Sequence, residues 1–287
     1  MARKIPDDIL VCSSCFGYLS IGHETIACQE CKSSFPQTNE KIDFSQIKKE
    51  EQASDMLDKI KNKFKSFTGL YEFLIVLISP VYVSRAFVQK TIKNTFEEHP
   101  NAIALNLGSG NSNLSDQVCN IDLMPYPNVD MACDCDHLPI RDNSVDLIIS
   151  IAVLEHVRNP ERAIKEMKRV LKPGGKIFCC IPFIQGFHAS PYDFSRRSRE
   201  GMKELFKDFE LNELRNTGGP TSGMLWILQE WIATIFSFGI RPLHTAILIV
   251  LMLLTWPIKF LDILLIHFPT AHHITSAFSI VVNKRPS

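Results

Sequence analysis

Ala104-Leu105-Asn106-Leu107-Gly108-Ser109-Gly110-Asn111-Ser112 is the stretch on which the reading of this chain turns. A short apolar run that stops at Gly-x-Gly is a strand followed by a tight turn, where bare backbone can approach a ligand. Outward from it, residues 118–123 form a second apolar run, and Asp122 follows Gly110 by twelve positions. An acidic residue at the end of that strand can accept hydrogen bonds from both hydroxyls of a ribose. Residues 146–151 read as a third strand and 176–181 as another. Between them, Ala163, Ile164, Met167, Val170 and Leu171 recur at helical spacing until Lys172-Pro173-Gly174-Gly175 stops the helix. Residues 209–214 read as the sixth strand and 274–283 as the seventh. Continuous apolar strands alternating with helices predict an α/β fold, a parallel sheet covered on both faces, with its ligand at the carboxyl ends of the strands.

The neighbouring segments extend the pattern. Cys133-Asp134-Cys135-Asp136-His137-Leu138-Pro139 follows the second strand. Ser150-Ile151-Ala152-Val153-Leu154-Glu155-His156-Val157 follows the third, and Leu171-Lys172-Pro173-Gly174-Gly175 closes the next helix. In order and spacing, residues 103 to about 210 resemble the class I S-adenosylmethionine-dependent methyltransferases of the large type 11 subgroup. The resemblance implies a Rossmann-like seven-stranded sheet. It places Gly108 and Gly110 beside the methionine part of the cofactor, Asp122 on the ribose, Asp134 and the backbone of Cys135 beside the adenine, and Ser150 to Glu155 along the wall near the methyl group. Three departures concern the methionine end: Asn106 stands where an acidic residue is usual, Ser112 replaces a third glycine, and the helix between the first two strands is very short.

Composition bounds the function. The 287 residues carry 31 basic and 31 acidic side chains, a neutral balance that argues against DNA or RNA as the main partner. The opening MARKIPDDILVC lacks an apolar core, so no secretory signal is expected and the nine cysteines are read in a reducing, cytoplasmic setting. Cys12-x-x-Cys15 and Cys28-x-x-Cys31 lie twelve residues apart, the pattern that brings four sulfurs to one tetrahedral Zn²⁺. Four cysteines complete the shell, so the zinc is read as structural and as the folding energy of a segment too small for its own core. This segment, with Phe35-Pro36 and Ile42-Asp43-Phe44, also resembles the short zinc-binding domain related to the tRNA-methyltransferase activator subunit. The predicted order is a zinc-binding domain over 1–46, a helical linker over 47–100 (charged at 46–65, apolar and broken at Pro80 within 70–96), a methyltransferase core over 101–219, a hydrophobic helical insertion over 220–270, and the last core strand and tail over 271–287.

The substrate should lie beside the loop His188-Ala189-Ser190-Pro191-Tyr192-Asp193-Phe194 that leaves the sheet's carboxyl end. His188 is the best candidate general base by residue type, and Asp193 either orients it or acts itself. Both could instead pin the loop, and His156 is read as structural or as cofactor wall. The His-x-x-Pro-x-Asp-Phe pattern resembles methyltransferases associated with bacterial surface-glycan or lipid-linked sugar assembly.

Residues 220–270 hold only four charged side chains: Glu230, Arg241, Lys259 and Asp262. The run 243–256 makes roughly 21 Å of helix, short of the roughly 30 Å hydrocarbon core. If the helix continues through Pro257, Lys259 can pair with Asp262 and a span comes into reach. A strand must then return to the sheet, which forbids an odd number of spans. Three arrangements remain: a shallow or re-entrant membrane hairpin, an oligomer interface or lid, and a full two-span hairpin. The reading is a cytoplasmic methyltransferase at the inner face of the membrane, acting on an amphiphilic acceptor such as a lipid-linked sugar, glycan precursor or lipid. Its rivals are an RNA methyltransferase and a catalytically inactive zinc-module adaptor.

Overall fold

The structure, a computed structural model, describes residues 4–38, 41–45, 81 and 85–286. The charged helix expected at 46–65 and most of the apolar stretch at 70–96 lie outside the described residues.

The sheet is built around short, mostly apolar strands. β5 (Ala104–Leu107) is wholly buried, and β6 (Val118–Asp122) and β8 (Val145–Ile151) nearly so. Chain order reverses between β5 and β8. From β5 the chain moves outward through β6 to β7 (Met131–Ala132), then returns to β8 and continues to β9 (Leu171–Pro182). These five strands are parallel. β11 (Ala277–Asn283) and β10 (Glu210–Gly218) add an antiparallel pair, so the core has the order β7-β6-β5-β8-β9-β11-β10. Seven is the number the family resemblance implies; the sequence itself places six of them, and β7 is the addition.

Four more strands extend the same sheet. β1 (Leu19–Ile21), β2 (Thr25–Cys28), β3 (Ser34–Thr38) and β4 (Lys41–Asp43) form an antiparallel meander, and β4 then pairs in parallel with β7. The N-terminal module therefore shares a sheet and an apolar core with the rest. Ile9, Phe35, Ile42 and Phe44 pack in one cluster with Leu105, Ile121 and Leu138. Arg169 stitches the junction: it donates to the carbonyls of Leu138 and Ile140, pairs with Glu166, and stacks over Phe16.

α1 (Ala86–Glu98) covers the opposite face, setting Val88 and Ile92 against Leu147, Ile149 and Phe178. The core's helical cover thus begins within the stretch read as linker, ahead of residue 101. Two other expectations change. No helix joins β5 to β6; turns fill the space, and Asn113 and Asn128 brace them. β9 begins at Leu171, not 176, because Val145 pairs with Leu171 and Leu147 with Lys176, leaving Lys172–Gly175 as an excursion within the strand. α2 (Pro160–Val170) ends where that strand starts.

The insertion is a helical hairpin, α4 (Pro220–Ser237) and α5 (Arg241–Thr255), continued by a 3-10 turn (Trp256–Leu261) and α6 (Asp262–Leu265). Pro257 does not stop it: Arg241–Leu265 is a helical stretch of 25 residues, 17% buried, long and apolar enough to cross a membrane by length and composition. Its burial pattern is inside-out. α4 turns Ser222, Gly223, Gln229, Ala233 and Ser237 inward and leaves Met224, Ile227, Trp231, Ile235 and Phe236 outward. Gln229 donates to Thr255 across the hairpin. Lys259 and Asp262 are both buried. Asp262 serves the start of α4, accepting from the backbone N–H of Thr221 and Ser222, each at 2.8 Å, and from the Ser222 hydroxyl at 2.6 Å. Gly219 makes room for it, since a Cβ there would lie 2.1 Å from the Asp262 carboxyl carbon. Asp262→Ala should therefore orphan two buried amides and destabilise the protein by ~1–3 kcal/mol, measured by denaturant unfolding in detergent.

Candidate active site

The reversal of strand order leaves a crevice at the carboxyl ends of β5 and β8. β5 ends in Gly108 and Gly110, with φ of +67° and +55°. A Cβ on Gly108 would meet Val153 Cγ2 at 2.3 Å, so only glycine lets the β5 turn touch the segment after β8. A Cβ on Gly110 would meet nothing within 4 Å, which leaves its backbone open to a ligand. Asp122 holds the turn: its Oδ2 accepts from Gly110 N at 2.7 Å and its Oδ1 from Met124 N at 2.9 Å. The carboxylate is thereby fixed at the carboxyl ends of the strands.

Asn106 is placed differently from the expectation. It is buried, and its amide donates to Asn120 Oδ1 at 3.1 Å, so it braces β5 to β6 rather than facing the turn. Ser150 is likewise closed off within the sheet, in register with Cys179. Asp134 is exposed and shapes the following turn, its Oδ1 accepting from Asp136 N. Cys135 lies next to it with its thiol pushed up to about 12, chiefly by burial and secondarily by Asp134, so it is no thiolate nucleophile.

Glu155 and His188 come together. Ala152, just after β8, takes φ of +55°, a rare conformation for a residue with a Cβ, and the chain then turns through Leu154–His156. Glu155 is 0% exposed, and neither carboxylate oxygen has a hydrogen-bond partner. Its Oε1 lies 3.7 Å from His188 Nε2 and 3.8 Å from His156 Nε2. Of the roles read for Asp193, orienting His188, acting itself or pinning the loop, its contacts favour holding the loop. Burial works to raise its pKa, but hydrogen bonds from Arg196 and from His188 N outweigh this and hold it below the usual carboxylate range. Arg196 grips both its oxygens, and His188 N donates to Oδ2 at 2.9 Å, so Asp193 positions the loop. The sequence did not single out Trp226, which sits in α4 with its ring 5.3 Å from His188 and ties the hairpin to the site. A lone Trp in an apolar helix carries no signal of such a contact.

The N-terminal cysteines also converge. The four sulfurs of Cys12, Cys15, Cys28 and Cys31 lie within 4.8 Å of one another, with Cys12 to Cys31 at 3.6 Å and Cys15 to Cys28 at 3.5 Å. The backbone N–H groups of Ser14 and Cys31 point at the sulfurs of Cys12 and Cys28. A donor set of four thiols in this arrangement fits tetrahedral zinc.

Residues 105–179 match the Methyltransf_11 family, described as a methyltransferase domain. The chain is 54% identical over 54 residues to a probable tRNA methyltransferase 9B of Mus musculus, covering 18% of this chain and 12% of that protein. It is 41% identical over 75 residues to the sterol 4-C-methyltransferase strm-1 of Caenorhabditis elegans, covering 26% of this chain and 21% of that protein. The chain thus spans 12% and 21% of the length of these relatives. Among solved structures it is similar to a phosphoethanolamine N-methyltransferase 2 of Haemonchus contortus, with a TM-score of 0.46 and 16% identity over 82% of this chain and 61% of that one.

Two costs should separate at Gly108. Gly108→Ala should lower stability by more than the ~1–2 kcal/mol of a left-handed alanine, because of Val153. Gly108→Ala with Val153→Ala should recover the steric part alone, read as a partial return of Tm.

Proposed function

On the premise that residues 105–179 are a methyltransferase domain, we propose that this protein transfers a methyl group from S-adenosylmethionine to an amphiphilic acceptor at a membrane surface. The observation that carries the reading is the inside-out hairpin whose Trp226 reaches His188. Helices that bury Ser, Gly, Gln and Ala while presenting Trp, Ile and Phe follow the rule of helices packed in lipid. Exposed apolar surface on this scale marks an interface. An acceptor that stays in the bilayer is met where the hairpin adjoins the site.

The open turn at Gly110 and the fixed Asp122 carboxylate fit a nucleoside cofactor, with the ribose hydroxyls on Asp122 and the methionine end along Gly108–Gly110. Bound there, the cofactor supplies an electrophilic methyl on a sulfonium. The chain contributes orientation, which supplies much of the rate in an in-line displacement. His188, held by Asp193 and Arg196 at the wall beside Glu155, faces the acceptor's side. The four cysteines hold a structural zinc that fixes the module against β7.

Asp122→Ala should weaken S-adenosylmethionine binding by ~1–3 kcal/mol in calorimetry; unchanged affinity would put the cofactor elsewhere. Metal analysis should find zinc bound by the knuckle, and Cys12→Ser should remove one equivalent. The protein should pellet with membranes and be released by detergent but not by high salt, since few charges are there to screen. Incubation with labelled cofactor and separate lipid and RNA fractions tests the acceptor. Label in lipid supports this reading. Label confined to RNA overturns it in favour of the tRNA methyltransferases that the chain resembles over short stretches.

A further inference from the structure

We propose that Glu155, His156 and His188 form a second metal site, separate from the cysteine cluster, that takes one divalent transition-metal cation. Their donor atoms lie within 4.8 Å of one another. The two imidazole Nε2 atoms stand 3.8 and 3.7 Å from the same oxygen, Glu155 Oε1. That spacing is too long for hydrogen bonds. It is close to the separation of about 3.4 Å between two ligands each about 2.1 Å from a tetrahedral ion.

Both rings are turned for the purpose. His156 Nδ1 lies 2.6 Å from the Tyr192 carbonyl, and His188 Nδ1 lies 3.0 Å from the Gly186 carbonyl. Arg196 Nη2 also approaches His188 Nδ1, at 3.2 Å, but its two hydrogens are directed at Gly186 O, 2.9 Å away, and Asp193 Oδ2, 2.7 Å away. A neutral imidazole that donates from Nδ1 to a carbonyl turns its Nε2 lone pair toward Glu155. A carbonyl behind each ligating imidazole is the outer support that metal-bound histidines use. The rings stand perpendicular, at 89°, and so approach from different directions.

The second observation is Glu155 itself. A fully buried carboxylate with both oxygens unpartnered is costly unless it is paired or coordinates a metal. Two imidazoles and one carboxylate suit zinc, manganese, iron or cobalt and leave coordination positions open. The site follows Val153, the residue in contact with Gly108, so resting on the proposed methyl transfer it adjoins the reacting methyl. An acceptor hydroxyl in an open position would be acidified there. Its oxygen forms the new bond to the methyl carbon, the sulfur keeps the pair from the broken bond, and the proton leaves to water.

The test uses the full-length protein in detergent, loaded with zinc, dialysed, titrated with Mn²⁺, and assayed for total metal per chain alongside the free-Mn²⁺ electron paramagnetic resonance signal. Wild type should hold one metal more than Glu155→Gln or His188→Ala, whose affinity for the second ion should fall by at least about 100-fold. Thermal melts establish that each variant is folded, and His188→Ala, on a half-buried loop, carries the test if Glu155→Gln does not fold. Equal metal content in wild type and a folded variant overturns the inference. S-adenosylmethionine binding, measured by calorimetry on the same samples, keeps the two readings apart. Its loss in wild type defeats the methyltransferase reading, whereas its persistence with equal metal contents defeats the metal site alone.

Discussion

The contact between Gly108 and Val153 sets the geometry on which the rest of the site depends. β5 and β8 are neighbours at the point where the sheet's winding reverses, and each must leave the sheet at its carboxyl end. With no side chain at Gly108, the two departing segments touch. The turn after β5 is thereby fixed for a ligand's backbone contacts, while the segment after β8 is carried over the crevice to deliver Glu155 and His156. Asp122, bonded to Gly110 and Met124, ties the third strand end into the same junction.

Polarity at the insertion follows a second rule. A helix in water hides its large apolar side chains; α4, Leu225 apart, hides its small and polar ones. The two charges nearest its start, Lys259 and Asp262, are drawn inward, where Asp262 takes up the first amides of α4. The hairpin thus has its first amides satisfied from within while its outer face lacks apolar contact, the balance expected of a segment completed by an apolar surrounding.

Much of this was legible in the sequence, for identifiable reasons. The apolar strands, Gly-x-Gly and Asp122 are local signals with fixed spacing, and the paired Cys-x-x-Cys elements announce their cluster. β7 escaped because Met131–Ala132 is too short to show periodicity. Continuation through Pro257 stays open in the sequence because a proline breaks a lone helix, whereas here the chain passes through a 3-10 turn that needs no amide at that position. Residue type alone leaves the roles of Asn106 and Asp193 open, because their partners, Asn120 and Arg196, lie elsewhere in the chain and are set by the fold. The meeting of Glu155 with His188, 33 positions apart, is a property of the sheet alone.

The parallel pairing of β4 with β7 decides how the sheet ends on that side. β7 offers two residues and would otherwise be the open margin of a flat, largely apolar sheet, a template for any extended chain. The meander covers that margin and ends the sheet in β1, a three-residue strand half open to water. The cysteine knuckle that shapes the meander thus acts as an end-cap: loosening it would uncover unpaired backbone beside Met131. The knuckle closes the sheet's edge from a place remote from the strand ends that carry Gly108 and Asp122.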